Sequence, residues 1–504
     1  MTRRHGWPLP LLLAVLGALQ TLAFVDTWAW PLPLLCCAVL AWSAAGVVPR
    51  RAALFGWTFG TAWLTAGTWW LYISMHRYGG LPAPLAAAAV FVLSAALSLY
   101  LALAMALFAR WRQGRAAVDA SLFAALWLLA ELARGVIFTG FPWVASGYAQ
   151  VDGPLAALAP WVGVYGIGAV GALSAALLAA GRLRPALGAA ALLAVPALVG
   201  TVSFSSPTGS LSVTLLQTNV AQDEKFATEQ MPQALAWVAA ALRDARGDLV
   251  VAPETAVPLL PDQLAEVAPG YWEALRQRFA GSAQAALVGV PLGSFENGYT
   301  NSVAGLSAGP DYRYDKFHLV PFGEFIPTGF RWFTELMNIP LGDFNRGVKN
   351  PPSFPVKGER VAPNICYEDL FGEELARRFV DPASAPTLFA NVSNMGWFGD
   401  GWAIAQHLNI SRLRALEFQR ATVRATNTGA TAVIDARGRV TALLPTSTRA
   451  VLQGSVEGRS GLTPFAVWAS RFGLWPLLLL ALAVLGAART LAFWFPPTAR
   501  AGIR

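Results

Sequence analysis

Three cysteines in 504 residues, two of them adjacent at Cys36 and Cys37 inside an apolar run, leave no disulfide framework to build. Only Cys366 stands in polar sequence. Charge is scarce as well: Asp, Glu, Lys and Arg make up 13% of the chain, against about 25% in soluble domains. That excludes the run of soluble domains which the length alone would suggest at roughly 150 residues each. Lysine is nearly missing, with Lys225, Lys316, Lys349 and Lys357 the only four. The net charge of +8 and the pI near 9.7 therefore come from arginine, and much of that sits in short breaks between apolar segments. With no RNA-binding aromatic signature beside it, this basicity does not point to nucleic acid. No zinc spacing, cofactor fingerprint, internal repeat or low-complexity tract is present.

What is abundant is apolar. Hydrophobic residues reach 55%, with 20 Trp and 28 Phe and a mean hydropathy of +0.47, as in a chain much of whose surface faces lipid. Stretches long enough to span ~30 Å of hydrocarbon occur at 7–24, 29–48, 53–75, 84–109, 117–139, 154–180 and 184–203, and an eighth at 468–494. The first lacks a small-x-small cleavage site after it and reads as a retained helix rather than a signal peptide. Pro8, Pro10, Pro31 and Pro33 sit at the starts of the first two spans, where a missing N–H costs least.

Loops on the side of the N-terminus hold Arg3, Arg4, Arg50, Arg51, Arg110, Arg112, Arg115, Arg182 and Arg184, whereas the opposite loops hold only Arg77. The positive-inside rule then places both termini, including Arg500 and Arg504, in the cytoplasm. Seven crossings put the chain beyond residue 205 on the outer side. The expected division is a membrane domain over 1–205, an extracytoplasmic domain over 206–458, and a last span with its tail over 459–504.

The outer domain alternates short β-like runs with amphipathic helices, the pattern of a layered α/β or α+β fold. Strands are predicted at 211–215, 248–252, 285–290 and 387–391, helices at 233–245, 262–280, 370–379 and 402–426, and a hairpin across Arg437-Gly438. Three polar residues follow or interrupt such β-like runs: Glu254 in Val250-Val-Ala-Pro-Glu-Thr, Lys316 in Tyr314-Asp-Lys-Phe-His, and Cys366 in Pro363-Asn-Ile-Cys-Tyr-Glu-Asp. Strand ends are where open α/β sites form. A carboxylate to take a thiol proton, an ammonium to face an oxyanion and a thiolate to form a thioester make a workable nucleophilic set without histidine. Read singly, each has a plainer meaning: a buried structural cysteine, a turn carboxylate, a solvated lysine. His318, two residues after Lys316, offers a Cys–His alternative.

The strings Val251-Ala-Pro-Glu-Thr255, Tyr314-Asp-Lys-Phe-His-Leu-Val-Pro-Phe-Gly-Glu-Phe-Ile-Pro327 and Asn364-Ile-Cys-Tyr-Glu-Asp369 resemble the catalytic segments of the nitrilase superfamily. With Asn391-Val-Ser-Asn-Met-Gly-Trp-Phe-Gly399 and the spans, nearly the whole chain resembles that superfamily's membrane-bound branch, the apolipoprotein N-acyltransferases. The resemblance implies an α-helical polytopic membrane domain of eight spans plus an extracytoplasmic nitrilase-like α-β-β-α sandwich in a bacterial inner membrane, the catalytic domain periplasmic and the protein a monomer. It implies a phospholipid acyl donor, a diacylglyceryl apolipoprotein acceptor, and thioester chemistry that needs neither metal nor cofactor. Glu254 would be the base, Lys316 the oxyanion stabiliser and Cys366 the nucleophile, supported by Glu324, Tyr367 and Glu368. Where the family often has Lys-Trp, this chain has Lys225-Phe226, which keeps an aromatic contact but not an indole N–H.

Candidate substrate contacts are Phe226, Trp397, Phe398, Trp143 and Asn391. The segment holding Phe322, Phe325, Ile326, Phe330, Trp332, Phe333, Leu336 and Met337 is either a lipid-facing arm or ordinary core. Glu131 and Arg134, three apart in an apolar helix, are either functional or a self-paired couple. The charges Arg412, Arg414, Arg420 and Arg424 with His407 are expected along the 402–426 helix, some pairing with Glu417 and others meeting solvent or head groups. Two readings compete with acyl transfer: a membrane-tethered nitrilase-type amidase that releases its acyl group to water, and a transporter or receptor, for which the spans offer few ionisable residues.

Overall fold

The computed structural model describes residues 8–225, 229–327, 329 and 343–494, so Arg3, Arg4, Phe226, Phe330, Trp332, Phe333, Leu336, Met337, Arg500 and Arg504 lie outside it. The chain divides into two compact units, one of residues 1–72, 83–202 and 472–504, the other of 73–82 and 203–471.

The first unit is helical. Five of its helices are long and apolar enough to cross a membrane: Thr27–Ala45, Ala83–Trp111, Ala116–Thr139, Pro154–Ala179 and Trp475–Trp494. Pro8–Phe24 and Leu183–Pro196 are apolar but shorter, and Pro49–Gly67 is made more polar by Arg50, Arg51 and three threonines. The run expected at 468–494 is interrupted: an amphipathic helix Pro464–Phe472 in the other unit ends at Gly473, whose φ of 55° permits the turn, before Trp475–Trp494 begins. Helices approach closely at small residues; a Cβ on Gly17 would lie 2.2 Å from the Phe59 carbonyl oxygen. Glu131 and Arg134 pair at 3.5 Å and together hold the following loop. Glu131 accepts from the Ser146 N–H at 2.7 Å and its hydroxyl at 2.8 Å, while Arg134 donates to the carbonyls of Phe141 and Trp143. The couple is thus a buried loop clamp.

The second unit is built on two six-stranded sheets. Its strands are β1 (Ser206–Gln217), β2 (Leu249–Val251), β3 (Ala285–Ser294), β4 (Gly298–Leu306), β5 (Tyr312–Asp315), β6 (Phe354–Val356), β7 (Glu359–Ile365), β8 (Leu388–Ser393), β9 (Ala421–Thr426), β10 (Ala432–Ile434), β11 (Val440–Leu443) and β12 (Ala450–Ser460). One sheet runs β12-β1-β2-β3-β4-β5 and the other β11-β10-β9-β8-β7-β6. Each has three parallel central strands, β1 to β3 and β7 to β9, flanked by antiparallel ones. Leu211, Val213, Leu215, Leu249, Val251, Leu287 and Val303 of the first meet Val361, Ile365, Leu388, Val392, Val423 and Val433 of the second in one core. Helices Met231–Asp244, Pro261–Val267 and Tyr271–Ala280 cover the outer face of the first sheet through Leu235, Val238, Leu264, Leu275 and Phe279. Phe379, Phe418 and Phe465 pack on Ala362 and Phe389 across the outer face of the second. Strands between two helical layers are what parallel central strands require, since both their faces must be buried.

The expected hairpin and the strands at 285–290 and 387–391 are present. Two long helices are not. The 262–280 stretch breaks at Gly270, φ 76°, into two. The 402–426 stretch is a helix only over Trp402–Phe418; Gln419 turns left-handed at φ 48°, and Ala421–Thr426 is β9, buried throughout. Arg420 and Arg424 disguised that strand, because guanidinium groups in a run suggest a solvated face. Here Arg414, Arg420 and Arg424 are all fully buried, none at solvent, and Arg414 pairs with Glu417 at 2.8 Å. The predicted helix at 370–379 is a succession of short turns, Cys366–Leu370, Gly372–Leu375 and Ala376–Phe379.

Phe418 stacks on Phe379 at 4.8 Å and meets Phe389 and Phe465 edge-on. Phe418→Ala is expected to cost about 3–5 kcal/mol and to lower the thermal midpoint by roughly 6–20 °C in a melt of the detergent-solubilised protein.

Candidate active site

The carboxyl ends of the central strands converge on one polar cluster. Cys366 follows β7 directly, at φ 49°, a left-handed conformation that costs a residue with a Cβ about 1 kcal/mol or more. The turn is held by Glu368, whose carboxylate folds back to accept from the Ile365 N–H at 2.8 Å. The same carboxylate accepts from the Tyr314 hydroxyl at 2.5 Å and from the N–H groups of Phe317 and His318 at 2.8 and 3.2 Å. Glu368 thereby ties the Cys366 turn to the segment carrying Lys316.

Glu254 lies just beyond β2, in a turn whose next residue, Thr255, has φ 48°. The turn rests on Gly289 of β3, where a Cβ would lie 2.2 Å from the Pro253 oxygen and 2.8 Å from the Glu254 Cα. One carboxylate oxygen accepts from Asn301 Nδ2 at 2.7 Å, the other from the Asn394 N–H at 2.9 Å. Lys225 Nζ donates to the Glu254 carbonyl at 3.1 Å and to Thr255 Oγ1 at 2.6 Å. Lys316, 1% exposed, follows β5 and places its Nζ 2.9 Å from Glu324 Oε1 and 3.6 Å from Glu254 Oε1. Asn301 Nδ2 also donates to Glu324 at 2.7 Å, so one amide bridges both carboxylates.

The electrostatics arise from this packing. Burial alone would push the Lys316 ammonium toward neutrality, but Glu324, Glu254 and Cys366 more than offset it and hold the lysine protonated. Burial raises the Cys366 thiol well above the ordinary range, and Glu254 adds to the shift; Lys316 and the Asn394 N–H act the other way without cancelling it. The resting sulfur is a thiol among charges. Lys225, also buried, is pulled down to about 8 by burial, against the attraction of Glu254. The site therefore joins a buried thiol, two carboxylates and a fixed cation.

Residues 16–177 match the family described as the apolipoprotein N-acyltransferase N-terminal domain, and residues 212–464 the carbon-nitrogen hydrolases. An apolipoprotein N-acyltransferase of Verminephrobacter eiseniae is 54% identical over 93% of this chain and 94% of its own. One of Ralstonia nicotianae is 47% identical over 90% and 88%. The chain belongs to the apolipoprotein N-acyltransferase family. A solved CN-hydrolase superfamily protein of Xanthomonas campestris aligns with 54% of this chain and 97% of its own, at 20% identity and a TM-score of 0.38.

In this acyltransferase-family chain the other sequence-predicted residues fall in several places. Tyr367, 5% exposed, packs against both His318 and Phe371. Trp397 and Phe398 form a half-buried turn with Gly396, and Trp397 meets Tyr78 edge-on at 5.4 Å. Asn391 is fully buried on β8 and donates to Asn364 on β7 at 2.5 Å. Trp143 is buried in the helical unit against Trp70. Phe322, Phe325 and Ile326 are half-buried. His318 is not placed as a base for Cys366: its Nδ1 lies 3.0 Å from Glu374 and its ring stacks on Phe371 at 3.5 Å. Sequence reasoning passed over Asn301, although Thr300-Asn301-Ser302, three polar residues in one buried strand, was a signal that β4 serves more than the core.

Because the thiol is raised, alkylation of Cys366 by iodoacetamide should accelerate only as pH climbs beyond the usual thiol range. Glu254→Gln removes a negative neighbour and should move that rise to lower pH; an unchanged profile would contradict the geometry. Gly289→Ala should displace the Glu254 turn and slow acyl-adduct formation on Cys366 about 10-fold or more, with the circular dichroism spectrum unchanged.

Proposed function

We propose that this chain transfers a fatty acyl group from a phospholipid to the α-amine of the S-diacylglyceryl cysteine of an apolipoprotein, by a ping-pong route through a thioester on Cys366. The observation that carries this reading is the buried Lys316 ammonium between Glu254 and Glu324, with all three charges acting on the Cys366 thiol. Glu254 takes the thiol proton as Sγ attacks the ester carbonyl, and Lys316 offsets the negative charge that develops on its oxygen. The adduct collapses by breaking the C–O bond, and the proton on Glu254 passes to the departing lysophospholipid alkoxide. In the second half the lipoprotein amine attacks the thioester, Glu254 accepts a proton from it, and breaking the C–S bond returns a thiolate that Glu254 reprotonates. Protons balance over the cycle.

Glu324 serves by holding Lys316, and Glu368 by holding the turn. Tyr367 lines the elbow, and Trp397 and Phe398, half-buried in the turn after β8, suit an apolar acyl chain. Phe226, Trp143 and Asn391 are assigned to substrate binding on the family resemblance alone. Five helices long and apolar enough to cross a membrane, together with the shorter apolar helices Pro8–Phe24 and Leu183–Pro196 and the more polar Pro49–Gly67, support a reading of eight crossings with cytoplasmic termini and residues 206–458 in the periplasm, the protein working as a monomer in the inner membrane. The division 1–205, 206–458 and 459–504 rests on the same topology.

Incubated with phospholipid alone, the purified protein should gain one acyl mass as a hydroxylamine-labile adduct on Cys366, absent in Cys366→Ala, and should discharge it onto a diacylated lipopeptide. Discharge to water only would favour the amidase reading. No adduct, in folded protein offered several phospholipids, would overturn the assignment.

A further inference from the structure

Cys366 occupies a conformation that β-carbon residues avoid, and such strain persists only where the surroundings over-determine it. Glu368 fixes the peptide on the amino side of the turn through the Ile365 N–H. The carbonyl of Cys366 itself is met by a second group: His407 Nε2, on the helix Trp402–Phe418, lies 3.1 Å from it. The other ring nitrogen, Nδ1, lies 3.1 Å from Arg424 Nη2 on β9. A guanidinium only donates, so Nδ1 must accept, the ring proton must be on Nε2, and Nε2–H must donate to the Cys366 carbonyl. Arg424 is held in turn by Asp369, 3.3 Å away, and by Ser411, which also bonds Asp369. His407, Arg424, Ser411 and Asp369 are each 0–1% exposed.

We propose that His407 is a positioning residue for the nucleophile: the buried Asp369–Arg424–His407 relay fixes the tautomer that grips the Cys366 carbonyl and so aims Sγ at the incoming ester. Burial, with the Arg424 charge beside it, holds the imidazole well below its usual range, so the ring stays neutral and keeps that tautomer. His407 takes no proton in the reaction; it faces a carbonyl. Nor does its role depend on the lipid, because the grip exists in the resting protein. Asp369 belongs to the Cys366–Leu370 turn, so the relay leaves that turn at one residue and returns to it three residues earlier, through β9 and the helix. The strained turn is closed into a ring of hydrogen bonds that spans three elements.

This inference rests on Cys366 being the acyl-carrying nucleophile, and its test separates the two. Wild type, His407→Leu, His407→Gln and Arg424→Lys are compared, as full-length protein in detergent, for thioester formation with phospholipid, for alkylation by iodoacetamide at fixed pH, and for thermal midpoint. His407→Leu should form thioester about 10–100-fold more slowly at saturating phospholipid with KM unchanged. His407→Gln, which keeps an N–H donor, should recover most of the rate. Arg424→Lys, which keeps the charge against Asp369 but not the planar fork, should be slowed as well, and serves should His407→Leu fail to fold. Equal rates in wild type and folded His407→Leu or Arg424→Lys overturn the inference. So does a fall in thermal midpoint shared by the Leu and Gln variants without rescue by Gln. A wild type that forms no thioester at all overturns instead the assignment of Cys366.

Discussion

The contact on which the site depends is the one between a buried ammonium and two buried carboxylates. Lys316 is buried away from bulk solvent, and moving such a cation from water costs several kcal/mol unless it is paired and hydrogen-bonded. Glu324 at 2.9 Å and Glu254 at 3.6 Å supply the pairing, and each carboxylate is itself satisfied by Asn301 and a backbone N–H. Removing any one weakens the pairing of the others, since Lys316 is shared by both carboxylates and Asn301 bridges them. Such a cluster permits little slack, which is why its members come from five separate places: the ends of β2 and β5, the middle of β4, the start of the 320–325 turn, and the loop after β8.

The sandwich makes that convergence possible. Two sheets packed face to face bring the carboxyl ends of β2 in one and of β7 and β8 in the other to the same edge, and only loops leave the core there. Both Cys366 and the residue after Glu254 turn sharply through left-handed backbone, so their side chains are aimed by strain rather than by regular structure. That strain must be offset nearby, and the buried polar residues around it do so: Glu368 with four donors, Lys225 on the Glu254 carbonyl.

How much of this was legible in the sequence depended on the kind of residue. Apolar runs and alternating strands were plain, since burial on a periodic face leaves a periodic trace. Glu254, Lys316 and Cys366 were visible as polar interruptions of β-like runs, and the family resemblance joined them; spacing alone left each with a plainer reading. What failed failed for a reason: β9 reads as helix because Arg420 and Arg424 are buried charges, whose partners Pro386, Gly461, Asp369 and His407 are distant or separate in sequence. Asn301 showed only as part of a polar run in an apolar strand, because an asparagine on an antiparallel strand belongs to no motif until the fold places two carboxylates beside it.

One lysine and two glutamates act on one thiol, and burial with the two carboxylates outweighs Lys316, so the sulfur stays protonated. For the proposed transfer between two lipid-anchored partners, that order of basicity is an advantage. A standing thiolate would be the strongest nucleophile in the site and open to oxidation. In the proposed mechanism a thiol that ionises only as Glu254 receives its proton has no such exposure, and would react when an ester carbonyl is already beside Lys316 to take up the charge. On this view the raised thiol pKa is part of the selectivity of the site: the ionisation that starts the chemistry is coupled to the arrival of the oxygen on which the negative charge will settle.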